Sequence, residues 1–324
     1  MSDAPQFDGL LTFPRIKVQN VNCISSPLTW GFPSMTAFLG LMWALERRLT
    51  TSERGGDILF SRVGVVCHKF QPHVSDDGFS HSFHLTRNPV GKDGKSASII
   101  EEGRANMEVS LVFGVQSDVL CDAVGEQQML ARQVGDVLFS MRIAGGSILP
   151  MTHKPFFTSL GEDWEERLSR FRLVRRRLLP GFALVGRDDL LKQRHDDLLQ
   201  DDPEATPLDA WLDMSRINWR CSRIEEVNED TGEVTERGEW KRDDRDGWIV
   251  PIPVGYTALS PRYDNHEVAN TRDDSTPFQF VESIYSLGQW IGPHHLSEPA
   301  DMLWHATYDE ENGVYRCINK FKSM

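Results

Sequence analysis

Residues 25–45 read as a strand end, a constrained turn and an amphipathic helix in direct succession, and this junction constrains the fold more than any other stretch. Two prolines bracket the aromatic pair Trp30 and Phe32, which leaves the turn few conformations to lose on binding. Ser34 is a suitable N-cap, and apolar residues at helical spacing predict a helix over 35–49. The junction therefore predicts a rigid turn that presents backbone and aromatic rings to a flat ligand such as a nucleobase.

The patterns around this junction predict a β-α-β-β-α order followed by a return strand. Alternating apolar residues predict strands at 10–19, 62–70, 83–86 and 106–115, and an apolar stripe predicts a second helix at 126–141. This is the order of a ferredoxin-like or RRM-like unit. We therefore expect an α+β fold in which helices pack on an antiparallel sheet.

Beyond residue 160 the predicted elements depart from that unit. The patterns predict an arginine-rich helix at 164–179, a short strand at 181–186, a helical stretch at 188–212 interrupted at Pro203, and an apolar helix near 281–291. Residues 225–246 are so polar that we predict a mobile loop or an exposed hairpin. The second half of the chain therefore elaborates the first with helical and irregular structure.

Charge is distributed unevenly along the chain. The net charge is -13, and residues 181–324 carry 29 acidic against 15 basic side chains. A protein that attracts phosphates through its overall field is usually basic, so any contact with nucleic acid is expected within the first 180 residues. The acidic remainder is expected to face water or a basic protein partner.

Length and composition predict an ordinary globular protein. A chain of 324 residues with 40% hydrophobic content can form one large domain or two modest ones. The N-terminus lacks a signal-peptide pattern, and no apolar run approaches the ~20 residues that span a bilayer, so we expect a soluble cytoplasmic protein without membrane contact. Five widely spaced cysteines without a C-x-x-C pair predict reduced core thiols.

Several apparent catalytic motifs have ordinary explanations. The GKS sequence at 94–96 resembles the end of a P-loop, but Pro89 stands where that motif requires glycine. His81 and His84 lie in a strand-like segment without a third acidic ligand, and the RHDD sequence at 194–197 lies in a charged helical run. We therefore predict no catalytic residue, no metal and no cofactor.

His68 is the histidine whose position is compatible with catalysis. An imidazole at a strand end beside the Lys69 cation could act as the general base in metal-independent RNA cleavage. A half-buried strand histidine explains the same pattern. The two interpretations make different predictions about RNA cleavage.

Arginines and two polar loops suggest binding surfaces. The arginines of the 164–179 helix lie beside an apolar stripe, and they either form a cationic ridge for phosphates or pair with the acidic C-terminal region. A Gly/Lys loop follows the 83–86 strand, and a glycine-rich loop follows the 126–141 helix. The N–H groups of the second loop could cradle a phosphate, although a helix stop explains the glycines equally well.

Seven separated blocks, in order over nearly the whole chain, resemble the Cas-five-type family that supplies the second Csy subunit of the type I-F CRISPR surveillance complex. The blocks are IKVQNVNCISSPLTWGFPS, LTRNPVGKDG, IIEEGRANMEVSL, MRIAGGSILP, RRRLLPGFALV, WIVPIPVGYTALSP and FVESIYSLGQW. The polar stretch at 225–246 is the least familiar part.

The resemblance implies a non-catalytic RRM-like subunit that holds the 5′ handle of the CRISPR RNA (crRNA). It implies pairing with the large Csy subunit, contact with the first backbone Csy subunit, and indirect contact with target DNA. Residues 1–160 would form the RRM-like domain with RNA-facing loops, and residues 161–324 would complete the fold and the subunit interfaces. Relatives in other CRISPR subtypes cleave precursor crRNA, so an endoribonuclease that uses His68 is the alternative.

The resemblance also indicates which loops lie near the RNA. The expected RNA-binding residues are Arg15, Asn20, Asn22, Ser26 and Trp30 in the first block, Arg87, Asn88, Lys92 and Lys95 in the second, and Arg142, Gly145, Gly146 and Ser147 in the fourth.

Overall fold

The computed structural model describes residues 5–50, 58–87, 90–96, 98–161, 163–227, 234–243, 245–271, 273 and 275–321. These residues contain the helices α1 (Met35–Thr50), α2 (Val124–Phe139), α3 (Trp164–Arg177), α4 (Asp188–Asp201) and α5 (Pro207–Ser215). The strands of the first half are β1 (Gly9–Asn22), β2 (Ile24–Ser26), β3 (Thr29–Trp30), β4 (Leu59–Pro72), β5 (Val74–Asp76), β6 (His81–Phe83), β7 (Leu85–Arg87), β8 (Ile99–Glu101), β9 (Arg104–Gln116), β10 (Arg142–Ile143), β11 (Gly146–Ile148) and β12 (Phe156–Ser159). Those of the second half are β13 (Phe182–Gly186), β14 (Trp219–Val227), β15 (Val234–Arg242), β16 (Trp248–Ala258), β17 (Val281–Ile291), β18 (Trp304–Asp309) and β19 (Val314–Asn319).

One large antiparallel sheet runs through both halves of the chain. Its strands follow the order β10-β11-β1-β9-β4-β13-β17-β16-β19-β18, and β12 pairs with β1. Every pairing described within it is antiparallel. The expected combination of helices with an antiparallel sheet is confirmed, and the sheet crosses position 160 through the β4–β13 pairing.

The sheet separates two apolar cores, because neighbouring residues of a strand point to opposite faces. On β1, the fully buried Leu11 and Phe13 belong to the core that includes the apolar sides of α1 and α2. Leu10, the neighbour of Leu11 on the opposite face, belongs to the second core with Phe171 and Val174 of α3. Helices therefore cover both faces of the sheet, with α1 and α2 on one face and α3 on the other.

The junction at residues 25–45 has the predicted local structure. β2 and β3 form a small antiparallel hairpin, and α1 begins at Met35. The backbone N–H of Thr36 donates to Ser34 Oγ at 3.1 Å, which confirms Ser34 as the residue that caps the helix. The helix then buries one side from Met35 to Leu49 against the sheet.

Residues 281–291 form strand β17, so the prediction of an apolar helix is wrong. Val281, Ile284 and Tyr285 fit a helical spacing, but β-branched and aromatic residues also favour strands. β17 pairs with β13 on one side and with β16 on the other. These two neighbours satisfy its backbone hydrogen-bonding groups, and this tertiary context decides the conformation.

The polar stretch at 225–246 belongs to the two-stranded ribbon of β14 and β15, which is the hairpin that the prediction allowed. Residues 228–233, which lie between the two strands in the sequence, are outside the described residues. Within the described chain the ribbon pairs with no other strand, and the side chains of Trp219 and Trp240 are exposed on it.

The predicted break in the helical stretch at 188–212 is confirmed. α4 ends at Asp201, and α5 begins at Pro207 with a capping box in which Thr206 and Asp209 satisfy each other's backbone N–H groups. No helix in the described part of the chain combines the length and the apolar character needed to cross a bilayer.

The cysteines are all free, but the prediction of core thiols is wrong for two of them. Cys23 and Cys317 are buried, whereas Cys121 and Cys221 are exposed. Burial raises the pKa of Cys23 to about 11 and that of Cys317 to about 12, so both stay protonated at neutral pH. The buried thiols are therefore unreactive, as structural cysteines usually are.

Candidate functional site

One end of the sheet carries a polar surface on the face opposite α1 and α2. Its residues alternate along their strands with buried apolar residues such as Val18, Met107 and Ile148. We call this surface the polar sheet face, and it comprises Lys17 and Gln19 on β1, Lys69 and Gln71 on β4, His73 just after β4, Arg104, Asn106 and Glu108 on β9, Arg142 on β10 and Ser147 on β11. All of these side chains are exposed or half-buried, so the surface is accessible.

Two lysines flank a glutamate in the middle of the polar sheet face. Lys17 and Lys69 lie directly opposite Glu108 in the register of β1, β9 and β4, so the three side chains form a cross-strand row. Arg15 Nη1 lies 2.7 Å from Glu108 Oε1 and neutralises that carboxylate. Among the described residues no carboxylate pairs with either lysine, and both are exposed beside a groove of about 260 Å³.

A second cavity of about 430 Å³ lies at the end of the polar sheet face. We call it the arginine cleft, and it is lined by Asn20, His73, His84, Glu102, Arg104, Arg142, Gly145 and Ser147. Arg104 donates to Glu102 Oε2 from Nη2 at 2.8 Å and from Nε at 3.1 Å, which fixes its guanidinium in the wall. Arg142 has no carboxylate partner among the described residues, so the cleft presents positive charge to an incoming anion.

The β10–β11 hairpin positions Arg142 and Ser147 at the cleft. Its two-residue loop has positive φ at both positions, 47° for Ala144 and 78° for Gly145, as in a type I′ turn. Arg142 Nη1 donates to the carbonyl of Gly145 at 3.2 Å. The glycines therefore make a tight hairpin rather than a helix stop, and Gly146 is buried against β1 while Gly145 is exposed.

Asn20 and Asn22 lie where β1 bends toward the cleft. Asn20 has a φ of 57°, and its backbone N–H donates to Asn106 Oδ1 at 3.2 Å. Asn22 is engaged locally, because its amide donates to the Ile24 carbonyl at 2.7 Å and accepts from the Ile24 N–H at 3.2 Å. Of the two predicted asparagines, Asn20 lines the cleft.

Arg15 is held at the other end of the polar sheet face. Besides its ion pair with Glu108, its Nη2 donates to the carbonyls of Leu179 and Pro180 at 3.2 and 3.4 Å. Its φ of 51° places it in a bulge of β1. These contacts join β1 to the segment after α3, so the guanidinium stabilises one edge of the polar sheet face.

Both ring nitrogens of His68 are engaged in hydrogen bonds. Nδ1 lies 2.6 Å from the Pro180 carbonyl, and Nε2 lies 2.7 Å from Ser110 Oγ. Because a carbonyl only accepts, Nδ1 carries the proton, and Nε2 of the neutral ring accepts from the serine hydroxyl. Burial lowers the pKa of His68 and favours this neutral form. The lone pair that a general base would need is therefore occupied within the fold.

Ser26 and the aromatic pair of the first block lie apart from the arginine cleft. Ser26 is buried, and its hydroxyl lies 2.7 Å from Thr29 Oγ1 inside the β2–β3 turn. The side chain of Trp30 is 62% exposed, whereas Phe32 is half-buried with its ring 5.0 Å from that of Trp290. The two aromatic residues thus have different environments, and of the two only Trp30 is exposed to solvent.

The second block forms a hairpin whose lysines do not line the cleft. Arg87 lies in β7 opposite Ile99, and Asn88 lies outside the described residues. Lys92 and Lys95 are exposed in the connecting turn, and Lys95 Nζ lies 3.7 Å from Asp93 Oδ2. The structure therefore brings predicted residues of the first and fourth blocks together at the cleft, and its lining includes neither Lys92 nor Lys95.

The arginine-rich helix is confirmed as α3, but most of its arginines are engaged in packing. Arg177 lies 4.4 Å from the centroid of the Phe156 ring, and Arg175 donates to the Leu296 carbonyl. The arginines with such contacts are Arg167, Arg170, Arg175 and Arg177. In the described chain these four arginines are engaged by aromatic rings, by backbone carbonyls and, for Arg170, also by Glu166 of the same helix.

The histidines of the sequence motifs have separate environments. His195 Nε2 lies 2.9 Å from the Ala205 carbonyl, which ties α4 to the segment before α5. His81 is exposed on β6, and His84 follows that strand at the arginine cleft. Among the described residues no three histidine, cysteine or carboxylate side chains are arranged to hold a metal ion.

The sequence-based prediction missed Lys17 and Gln19 on β1 and the residues contributed by β4 and β9. Polar residues repeat there at every second position, with Lys69, Gln71 and His73 along β4 and just after it, and Arg104 and Asn106 on β9. A repeat at every second position marks one face of a strand. This repeat is the sequence signal from which these residues could have been found. Their closeness to Asn20 and Arg142 depends on pairing between distant strands, which the sequence alone does not reveal.

Comparisons with known proteins place these features in a family. A family model described as CRISPR-associated protein (Cas_Csy2) matches residues 11–317. The chain is 45% identical over 317 residues to CRISPR-associated protein Csy2 of Pseudomonas aeruginosa (strain UCBPP-PA14), which covers 95% of this chain and 94% of the relative. The matched region includes the whole polar sheet face and the arginine cleft.

Proposed function

The chain belongs to the Csy2 family of CRISPR-associated proteins, the family of the type I-F CRISPR complex, and we propose that it is a non-catalytic subunit that holds the 5′ handle of crRNA on the polar sheet face. The observation that carries this proposal is the convergence of Arg104 and Arg142 with Asn20 and Ser147 in one cleft. Guanidinium groups offer planar, bidentate contacts to phosphates.

The charge of the polar sheet face supports local binding of RNA by a protein that is acidic overall. The chain has a net charge of -13, so its overall field does not attract a polyanion. On the polar sheet face, however, Glu108 is neutralised by Arg15 and Glu102 by Arg104. Lys17, Lys69 and Arg142 are left as a cationic track on an open sheet, a surface suited to single-stranded RNA.

The strand order supports an RRM-like arrangement of this surface. In the β11-β1-β9-β4 part of the sheet, the two outer strands follow α2 and α1 in the sequence. We infer a ferredoxin-like unit, in which the two helices of the β-α-β-β-α-β order, here α1 and α2, pack on one sheet face. The opposite face of such a unit is where RRM domains bind RNA.

We further propose that the large Csy subunit pairs with this chain, and that the first backbone Csy subunit abuts it in the cytoplasm. Exposed aromatic side chains such as Trp164, Trp219 and Trp240 offer apolar area for such contacts. Contact with target DNA would then be indirect, through these neighbours.

The test of handle binding uses the complex assembled by co-expression. Arg142→Ala and Arg104→Ala are expected to reduce the amount of handle RNA that co-purifies, whereas Arg132→Ala, an exposed arginine on α2, is the matched control. If both cleft variants captured handle RNA like the unchanged complex, the assignment of the cleft would be wrong.

The alternative of a metal-independent endoribonuclease is tested separately. The occupied nitrogens of His68 argue against it, so we expect labelled precursor crRNA to remain intact with the purified protein in EDTA. A defined cut that disappears in His68→Ala would establish the endoribonuclease instead.

A further inference from the structure

A cavity of about 530 Å³ lies beyond the edge of the polar sheet face, enclosed by the β2–β3 turn and by β4, β13, β16 and β17. We call it the aromatic cavity, and its aromatic lining consists of Trp30, Phe32, Phe70, Phe182, Trp248 and Trp290. Its volume exceeds that of a single nucleobase and falls within the range of sites for small ligands.

The rings of this cavity form a continuous series from the core to the surface. Phe32 contacts Trp290 at 5.0 Å between centroids, Trp290 contacts Trp248 at 6.2 Å, and Trp248 contacts Phe182 at 5.8 Å. The inner rings are thereby held in place. A series of fixed rings is preorganised for stacking, because little side-chain entropy is lost when a flat ligand enters.

The outer rings of the cavity are unusually exposed to solvent. The side chains of Trp30, Phe182 and Trp248 are 62%, 47% and 58% exposed, and all three line the same cavity. Exposed large apolar groups that are clustered rather than scattered mark a binding site. An occupant that stacked on these rings would remove much of this surface from water.

Lys69 connects the aromatic cavity to the polar sheet face. This residue lines both the cavity and the groove that contains Lys17 and Glu108. An RNA strand that lay over Lys17 and Lys69 would therefore pass the mouth of the cavity with a phosphate beside Lys69. This continuity with a cationic track favours a nucleotide as the occupant over an apolar protein side chain.

We propose that the aromatic cavity receives one nucleobase, turned out of the RNA strand that crosses the polar sheet face. The inference rests on the proposed function and adds a second recognition element, a stacking site, to the phosphate contacts. Because the lining is mostly aromatic and aliphatic, stacking rather than hydrogen bonding provides the contact, and different bases are accepted.

The experiment uses the assembled complex and handle RNAs that each carry 2-aminopurine at one position. The fluorescence of this base is quenched when it stacks on an aromatic ring, so one position is expected to be dim. Its fluorescence should rise in Trp248→Ala and in Trp30→Ala, while Trp248→Phe keeps it dim. Phe139→Ala, which removes an exposed aromatic ring at the end of α2, on the sheet face opposite the polar sheet face, is the control.

A second measurement links the cavity to affinity. An abasic nucleotide at the dim position should weaken handle binding about tenfold, which is the loss of one stacked base. In Trp248→Ala the same abasic nucleotide should have little further effect.

The outcomes separate this inference from the function on which it rests. If the handle binds normally but no position responds to either tryptophan variant, the cavity does not hold a base and the inference is wrong, while the proposed function stands. If the unchanged complex does not bind the handle at all, both the proposed function and the nucleobase site are overturned.

Discussion

Gly146 lies so close to Gln19 that a Cβ on residue 146 would stand 2.6 Å from the Gln19 carbonyl oxygen. The same Cβ would meet Val21 Cγ1 at 2.6 Å and Val18 Cγ1 at 2.9 Å. The β10–β11 hairpin can therefore pack on β1 only if this residue has no side chain. The position of Arg142 at the cleft depends on that packing.

Gly146→Ala should consequently lower both stability and handle binding. We expect a loss of about 1–3 kcal/mol in the free energy of unfolding, as for other overpacked sites, measured by urea denaturation of the full chain. Gly40→Ala on α1 is the control, because its Cβ meets nothing within 4 Å and alanine favours the helix by about 0.5–1 kcal/mol. Equal stabilities for the two variants would contradict the close approach.

The exposed Lys17 and Lys69 on the polar sheet face predict a specific salt dependence of handle binding. Each phosphate contact that is removed should reduce the slope of log affinity against log salt by about 0.7, the value for single strands. Lys17→Ala and Lys69→Ala should each show this reduction in a filter-binding titration of the complex. Lys154→Ala, an exposed lysine outside the polar sheet face, should leave the slope unchanged. An unaltered slope in the double lysine variant would place the RNA elsewhere.

The hydrogen bonds of His68 predict a structural role for this residue. His68→Ala removes one hydrogen-bond partner each from the Ser110 hydroxyl and the Pro180 carbonyl, and about 1–3 kcal/mol of unfolding free energy should be lost. His81→Ala, at an exposed histidine on β6, should change stability little. Chemical denaturation measures both. A His68→Ala protein as stable as the unchanged chain would show that these bonds contribute nothing.

His305 predicts how stability depends on pH. Burial, aided by the positive charges of Arg62 and Lys320, lowers the pKa of His305 to about 4, against 6.5 for a free histidine. Between these values the unfolded chain binds a proton that the folded chain does not, so stability falls as the pH is lowered from 6.5 toward 4. The contribution is at most about 1.4 kcal/mol per pH unit.

His305→Phe removes this titration and should flatten the profile of unfolding free energy against pH over the same range. The buried Nδ1 of His305 has no hydrogen-bond partner among the described residues, so the ring can be replaced by an apolar one. A profile as steep as that of the unchanged chain would assign the acid sensitivity to other groups.

Local patterns predicted the elements that carry the site, but not how their side chains are used. The alternation in 10–19 and 106–115 gave β1 and β9, and Ser34 gave the start of α1. A bulge in β1 turns Arg15 toward Glu108, which lies 93 residues away in the sequence. Sequence patterns do not specify a contact made across such a separation.

The strand β17 and the aromatic pair illustrate the same limit. Tyr285 and its apolar neighbours satisfy both the helical and the strand period, and only pairing with β13 and β16 selects the strand. Likewise, Trp30 and Phe32 are two residues apart, and the presence of Trp290 beside one of them decides which is buried. Tertiary neighbours determine these outcomes.

The fixed order of β10, β11, β1, β9 and β4 has a consequence for how RNA is recognised. Four strand spacings of about 4.8 Å separate Arg142 at one end from Lys69 at the other, and the hydrogen-bonded sheet does not allow this span to stretch. If the RNA proposed for this surface contacts both residues, its backbone has to cover this fixed span, because the sheet cannot adapt to a shorter segment.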